Sequence, residues 1–258
     1  MADIREEWKE FIRSSSYLSR LEKNGGDEED FWKRFSASDT MNDYSGYPGD
    51  ICEWICGKID PGCTIADIGC GSGRYAGPLS AYASHIYAID PSHIQLERYR
   101  SAASSIGGCT FSFFEDTWAN VHIGKVDYVI AAYSFLVEDI DAFVDKMMNC
   151  MRKGAFFVFR AGQPDKTLAA LRNISSFRSF DYEFIMKLLE EKGYRAQFEI
   201  FSRDYSVPYP LFCSAYSWYI DDPEVFHSLL ADHGRIITLN GAEHVSCHRS
   251  DAAIFVPE

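Results

Sequence analysis

The sequence predicts an α/β fold, a doubly wound seven-strand sheet with helices on both faces. Two observations carry this expectation. Between residues 64 and 201, short apolar runs rich in β-branched and aromatic residues alternate with stretches of helical periodicity. Such alternation builds a parallel sheet covered on both sides. In addition, three glycines at every second position, Gly69, Gly71 and Gly73, follow the first strand of that series and open its first helix. The chain has 258 residues, 47% apolar and 24% charged, which suits one domain with additions.

The elements follow in order. Ile4, Trp8, Phe11 and Ile12 share a helical face. After the break at "NGGDE", Asp27 is placed to cap a second helix carrying Phe31, Trp32 and Phe35. "NDYSGYPGD" reads as a loop, with Pro48 in the first turn of a helix through Trp54. Strands are expected at 64–68, 86–89, 110–114, 126–132, 155–159 and 197–201, and helices at 73–83, 91–103 and 181–192. Ile140, Phe143, Val144, Met147, Met148 and Met151 keep helical spacing and read as core. The expected organisation is an N-terminal helical lid (1–46), a ligand-binding core (47–204), an aromatic cap insertion (205–233) and C-terminal strands completing the core (234–258).

No run of 18 apolar residues exists and the N-terminus is charged, so a membrane span and a signal region are not expected. The expected location is the cytoplasm. There the eight cysteines are expected as thiols, and the spacing of Cys52, Cys56 and Cys63 lacks the close pairing of a structural zinc site. No metal is expected. His244 and His248, four apart on a strand, face one side with Cys247 on the other, a poor geometry for three ligands. The formal net charge of -13 argues against a nucleic-acid partner, which needs a basic face.

The glycine turn selects among ligands. A GxxxxGK[ST] phosphate loop fails, because Arg74 stands at its second glycine and no Lys-Ser or Lys-Thr follows. The GxGxxG dinucleotide fingerprint fails at the same residue. What stands is Asp67-x-Gly69-x-Gly71-x-Gly73, followed seventeen residues after Gly73 by Asp90 at the end of the next strand. A carboxylate there can accept the two ribose hydroxyls of a nucleoside, or cap the helix opening at Pro91, or do both. With "YPGDI" ahead of the first strand, "EDTW" after the third and "MRKGAFFVF" leading into the fifth, this pattern resembles the class I S-adenosylmethionine-dependent methyltransferases. It looks most similar to small bacterial or archaeal members of unassigned substrate, over about residues 47–201.

The resemblance implies a Rossmann-like sheet and S-adenosylmethionine as cofactor. It implies cofactor contacts from Tyr47, Asp67, Gly69, Gly71, Gly73, Asp90, Pro91, Glu115, Asp116, Thr117, Trp118 and Ala132. Asp116, with Glu115 as rival, would meet the adenine amino group. Trp118 would shield the adenine face or pack in the core. Tyr133 and Glu138, after the fourth strand, would lie near the methyl group as candidate catalytic residues. The segment "AAYSFL" lacks the Asn/Asp-Pro-Pro-Tyr/Phe wording of amino-methylating DNA enzymes, and no Pro-Cys pair occurs. These absences and the acidic charge favour a small-molecule acceptor. Phe31, Trp32, Tyr205, Tyr209, Tyr216 and Trp218 are the candidates to line its pocket, because an aromatic lid excludes water. The alternatives are an RNA or protein methyltransferase and a non-catalytic cofactor-binding protein. The oligomeric state is left open.

Overall fold

The computed structural model describes residues 3–15, 32, 39–162, 180–216 and 222–258. Its sheet is built from β1 (Cys63–Ile68), β2 (Ala83–Ile89), β3 (Thr110–Phe114), β4 (Val126–Ala132), β5 (Met151–Arg160), β6 (Gln197–Pro208), β7 (Ile236–Leu239) and β8 (Ala242–Pro257). The order is β3-β2-β1-β4-β5-β8-β6, with β7 paired to β8 off this path. Strands β1 to β5 run parallel, and β8 lies antiparallel between β5 and β6. Seven strands thus form the main path, and β7 adds an eighth through an Asn240-Gly241 hairpin turn. Both turn residues have positive φ (53° and 79°), as a tight hairpin turn requires.

Alternating side chains of the central strands divide between two cores. Ala66, Ile68, Val129, Ala131, Ala155 and Phe157 face α5 (Ile140–Cys150) and α6 (Tyr182–Glu191), together with Trp8 and Ile12 of α1 (Ile4–Ser15). Ile65, Ile86, Tyr128, Ile130, Phe156 and Val158 face α2 (Gly49–Cys56) and α3 (Ala76–Ser80). Leu96, Tyr99 and Ala103 of α4 (His93–Ala103) close a smaller cluster over Ala88. Burying each large apolar side chain in these layers contributes roughly 1.5–3 kcal/mol. Helix caps are sequence-encoded: Ser92 caps α4, Asp139 caps α5 and Asp181 caps α6, each through its side-chain oxygen.

Several expected boundaries move. Residues 42–45 of the expected loop are helical, and Met151, expected on a helical face, opens β5, because it pairs with Val126 of β4. The helix expected at 73–83 shortens to α3, because Gly71 and Gly73 hold positive φ (54° and 83°), which a right-handed helix cannot contain. The residues after it belong to β2, which starts at Ala83. Strand β6 continues to Pro208, since β8 offers it a pairing partner as far as His244. Tyr205 is therefore a strand residue rather than part of the insertion. After it come α7 (Tyr209–Ala215) and α8 (Pro223–Asp232), whose Phe212, Phe226 and Leu230 pack with Met41, Val207 and Val245.

Helix α1 is fastened to the body. Trp8 stacks on Phe184 with centroids 4.8 Å apart, and its Nε1 donates to the Val137 carbonyl at 2.7 Å. Arg5 pairs with Asp141 at 2.5 Å and with Glu191 at 2.8 Å. The second expected helix falls outside the described residues except for Trp32, which is helical and half-buried. Among the described residues, no helix is long and apolar enough to cross a membrane.

Candidate functional site

Strand β1 has β2 on one side and β4 on the other, and the helices after β1 and after β4 pack on opposite faces. The carboxyl end of β1 is thus the topological switch point, where open α/β sheets hold their ligands. The glycine turn sits there. The Gly69 and Cys70 amides donate to the Ile89 carbonyl at 2.8 and 3.1 Å, which ties the turn to the end of β2. The Gly71 amide donates to Asp90 Oδ2 and the Ser92 amide to Asp90 Oδ1, both at 2.9 Å.

Each glycine of the turn has its own reason. A Cβ on Gly69 would stand 2.2 Å from the Ser134 Cβ, and one on Gly73 would stand 2.5 Å from the Tyr99 ring. These two positions are closed by packing. Gly71 also has positive φ, yet a Cβ there would meet nothing within 4 Å. The glycine at that position leaves open space beside half-buried backbone, the shape of a ligand cradle. From outside, Asp39 fixes the turn: it accepts from Ser72 Oγ at 2.9 Å and from Arg74 Nε at 2.5 Å, and Arg74 also pairs with Asp43 at 2.8 Å.

Asp67, near the end of β1, is buried, and its Oδ2 has no hydrogen-bond partner among the described residues. Burial, reinforced by the neighbouring Asp90 charge, pushes its pKa up to about 7. The Ser134 hydroxyl, packed against Gly69, is a second buried polar group without a partner among the described residues. Orphaned groups of this kind are uncommon in folded proteins, and these two lie side by side at the glycine turn. An open glycine cradle, two adjacent carboxylates and no basic clamp on the turn fit a nucleoside that carries an amine and no phosphate. The residues present therefore fit S-adenosylmethionine.

Beside this cradle lies a buried polar cluster. Tyr133, the residue after β4, has a positive φ of 56°, uncommon for a residue with a side chain. The residue is 39% exposed, while its hydroxyl is enclosed and donates to Asp251 Oδ1. Asp251 is fully buried and also accepts from Arg249 Nε at 2.8–2.9 Å. The Arg249 guanidinium lies 4.0 Å from the Tyr47 ring centroid and 5.2 Å from that of Tyr133. Tyr47 in turn meets the Tyr75 hydroxyl at 2.9 Å, which links the cluster back to the glycine turn. Burial raises the Tyr133 hydroxyl well above the ordinary tyrosine range, with the Asp251 charge adding to the effect.

The remaining sequence-predicted residues spread around this centre. Pro91 is exposed just after Asp90, and Ala132 is half-buried at the end of β4. Glu115, Asp116 and Thr117 are exposed after β3; Glu115 pairs with His93 at 2.8 Å, and Asp116 accepts from the Thr117 amide and Asn120 Nδ2 at 2.7 and 2.9 Å. Trp118 takes the core alternative: it is buried on the α5 face with Lys146 Nζ 4.6 Å from its ring. Glu138 is exposed and bound to Arg13 at 2.5 Å; that pairing lowers its pKa and makes it a poor base. Tyr205, Tyr209 and Tyr216 pack in the cluster around Phe212 and Phe226, Tyr216 against Phe212 at 4.6 Å and Tyr209 edge-on to His227 at 5.0 Å. Phe31 and Trp218 lie outside the described residues. His248 bonds Asp204 at 2.7 Å, and among the described residues no group of three His, Cys, Asp or Glu is placed to hold a metal.

Sequence reasoning missed Ser134, Arg249, Asp251 and Asn42, whose Oδ1 accepts from Arg249 Nη1 at 2.6 Å. A signal was present for two of them. In "CHRSDAAIF" the strand alternation puts Cys247, Arg249, Asp251 and Ala253 on one face, and two charges inside an apolar alternation mark a buried pair.

Comparison with known proteins agrees with this geometry. Residues 65–154 match a family described as "Methyltransferase domain". An uncharacterized protein of Haemophilus influenzae is 32% identical over 94 residues, 36% of this chain and 35% of that one. Phosphoethanolamine N-methyltransferase 1 of Zea mays is 22% identical over 135 residues, 50% of this chain and 27% of that one. The chain thus spans about a third of the length of the curated relatives it matches. Among solved structures, the YcgJ protein of Bacillus subtilis superposes with a TM-score of 0.59 at 16% identity, covering 80% of this chain and 97% of that one. Mycolic acid cyclopropane synthase CmaA1, complexed with SAH and CTAB, gives 0.53 at 13% identity, covering 81% and 83%. These likenesses share the fold.

Proposed function

We propose that the chain is a class I S-adenosylmethionine-dependent methyltransferase, a reading supported by the methyltransferase-domain match over residues 65–154, and that it transfers a methyl group to a small-molecule acceptor by direct in-line displacement. The observation that carries the reading is the pairing of an open cradle at Gly71 with the unpartnered Asp67 Oδ2 at the switch point of the sheet. When bound, S-adenosylmethionine would supply an electrophilic methyl carbon for an acceptor's lone pair, with S-adenosylhomocysteine as the leaving product.

The chain's own residues then have separable tasks. Asp90 braces the turn through the Gly71 and Ser92 amides and stands at the end of β2, where a carboxylate meets ribose hydroxyls. Asp67 offers a carboxylate to an ammonium group, and Ser134 a hydroxyl to a polar partner. Glu115 and Asp116 stand at the rim beyond β3, on the adenine side. Tyr133, beside the cradle, keeps its proton at neutral pH and acts by orienting the acceptor and shielding it from water. The helical residues 39–45 and the cap cluster, joined through Met41, flank the acceptor side. The formal net charge of -13 supports a small acceptor over a nucleic acid.

The test is a radiolabelled methyl-transfer screen of the purified protein against a metabolite extract and, in parallel, bulk RNA and protein. The expected product is a labelled small molecule. Robust methylation of RNA or protein with no labelled metabolite would overturn the small-acceptor reading. Binding of S-adenosylmethionine without any transfer would overturn the enzymatic one.

A further inference from the structure

The cluster behind Tyr133 holds more positive charge than the buried fold requires. Arg249 and Arg203 are neighbours across the β6–β8 pairing and lie on one face of the sheet. Arg249 uses Nε on Asp251 and Nη1 on Asn42, and its Nη2 has no hydrogen-bond partner among the described residues. Arg203 Nη1 is buried, likewise without a hydrogen-bond partner among the described residues, and is 3.7 Å from Asp251 Oδ2. The other amino group of Arg203 pairs with Asp50 at 2.8 Å, but Asp50 is 52% exposed and its charge is screened by water. Inside, two guanidinium groups share one buried carboxylate. A buried donor on a charged group without a partner is costly, so a ligand that accepts from it gains what the free protein lacks.

We infer that this cluster is an acceptor subsite for a carboxylate, so that the acceptor is a carboxylate-bearing small molecule. This rests on the small-acceptor reading above and gives it a substrate class. A planar carboxylate matches the fork of a guanidinium, and a single negative charge balances the interior excess. The flanking Tyr47 and Tyr133 rings, 4.0 and 5.2 Å from the Arg249 guanidinium, suit the flat body of such a ligand. The location separates the subsite from the cofactor: β8 and β6 lie beyond β4 and β5 from β1, whereas the glycine turn, Asp90 and Glu115 belong to the β1–β3 half. Tyr133, at the end of β4, stands between the halves.

The test titrates benzoate, with benzamide as its neutral counterpart, into the full chain saturated with S-adenosylhomocysteine, followed by NMR. Benzoate is expected to bind about tenfold more tightly than benzamide, the size of one charge-assisted hydrogen bond. Arg249→Met should abolish that preference. Arg249→Lys, which keeps a cation beside Asp251 but loses the fork, should reduce it. Affinity for S-adenosylhomocysteine should stay within about twofold in both variants, a difference below 0.5 kcal/mol. Equal binding of benzoate and benzamide to the unaltered protein overturns this inference alone. So does a loss of S-adenosylhomocysteine affinity in Arg249→Met with 5′-methylthioadenosine unaffected, because the carboxylate held would then be the cofactor's own. Methylation of bulk RNA with no metabolite methylated overturns the parent reading and this one with it.

Discussion

The Gly71 amide donates to Asp90 Oδ2 at 2.9 Å, so the glycine turn after β1 and the acid after β2 form one hydrogen-bonded unit. Sequence alone gives Asp90 a ligand role, a capping role or both; the structure gives it a bracing role on the turn. Asp90→Ala should therefore weaken S-adenosylhomocysteine binding by about 1.5–3 kcal/mol and also lower the stability of the unliganded protein by about 2–4 kcal/mol, since two amides lose a charged acceptor. Asp90→Asn, which keeps one acceptor, should lose less stability. Urea unfolding without ligand checks this; an unchanged midpoint in Asp90→Ala would show that the brace contributes nothing.

Asp67 carries a cost in the free protein. Its pKa rises from the unfolded value of 3.8 to about 7, so the folded state binds its proton more tightly than the unfolded state does. The stability this gives is fully present below about pH 4 and is lost as pH rises toward 7. Asp67→Asn removes the titration. The variant should exceed the unaltered protein in unliganded stability by on the order of 4 kcal/mol at pH 8, with the gain shrinking toward pH 4. Cofactor affinity of the unaltered protein should fall below pH 7, as Asp67 takes up a proton, and the variant should lack that dependence. A stability gain of the same size at pH 8 and pH 4 would contradict the assignment.

The glycines separate packing from ligand binding. Gly73→Ala forces a Cβ to 2.5 Å from the Tyr99 ring at a φ of +83° and should cost about 2–5 kcal/mol of stability. Gly71→Ala meets open space and should cost only about 1–2 kcal/mol, the strain of the left-handed conformation. Cofactor binding by the folded Gly71→Ala protein should nevertheless drop at least tenfold, about 1.4 kcal/mol, because the methyl occupies the cradle. Calorimetry on Gly71→Ala checks the second half; undiminished affinity would mean that the open space is not where the cofactor lies.

Tyr133 stays protonated through the working range, because burial and the Asp251 charge hold its hydroxyl well above 10. Tyr133→Phe should fold with a loss of about 1–2 kcal/mol, since Asp251 keeps Arg249 as a donor. The pH dependence of turnover between 6 and 9 should have the same shape with and without the hydroxyl. A basic limb that vanishes in Tyr133→Phe would show that Tyr133 titrates in catalysis.

The parts of this molecule legible in its sequence are those governed by local rules. Strand β4 matches its expected span because the apolar run Tyr128–Ala132 between turn signals leaves little choice, and Asp67, Gly69, Gly71, Gly73 and Asp90 meet because a strand–turn–helix motif sits beside the end of the next parallel strand. Other features depend on partners far along the chain. Strand β6 extends to Pro208 only because β8 runs beside it. Arg249 and Asp251 meet Tyr133 across more than a hundred residues of sequence, and no local periodicity encodes that contact. Trp118 shows the limit from the other side: shielding an adenine and filling a core call for the same residue, and only the packing around Lys146 and α5 decides between them.

The central claim is that the cradle at the end of β1 is built for S-adenosylmethionine. Isothermal titration of the unaltered protein with S-adenosylhomocysteine, with NAD as competitor, tests it most directly. The account predicts a dissociation constant of about 1 μM or tighter, near -8 kcal/mol, with no displacement by NAD. Binding of NAD in preference to S-adenosylhomocysteine would contradict it.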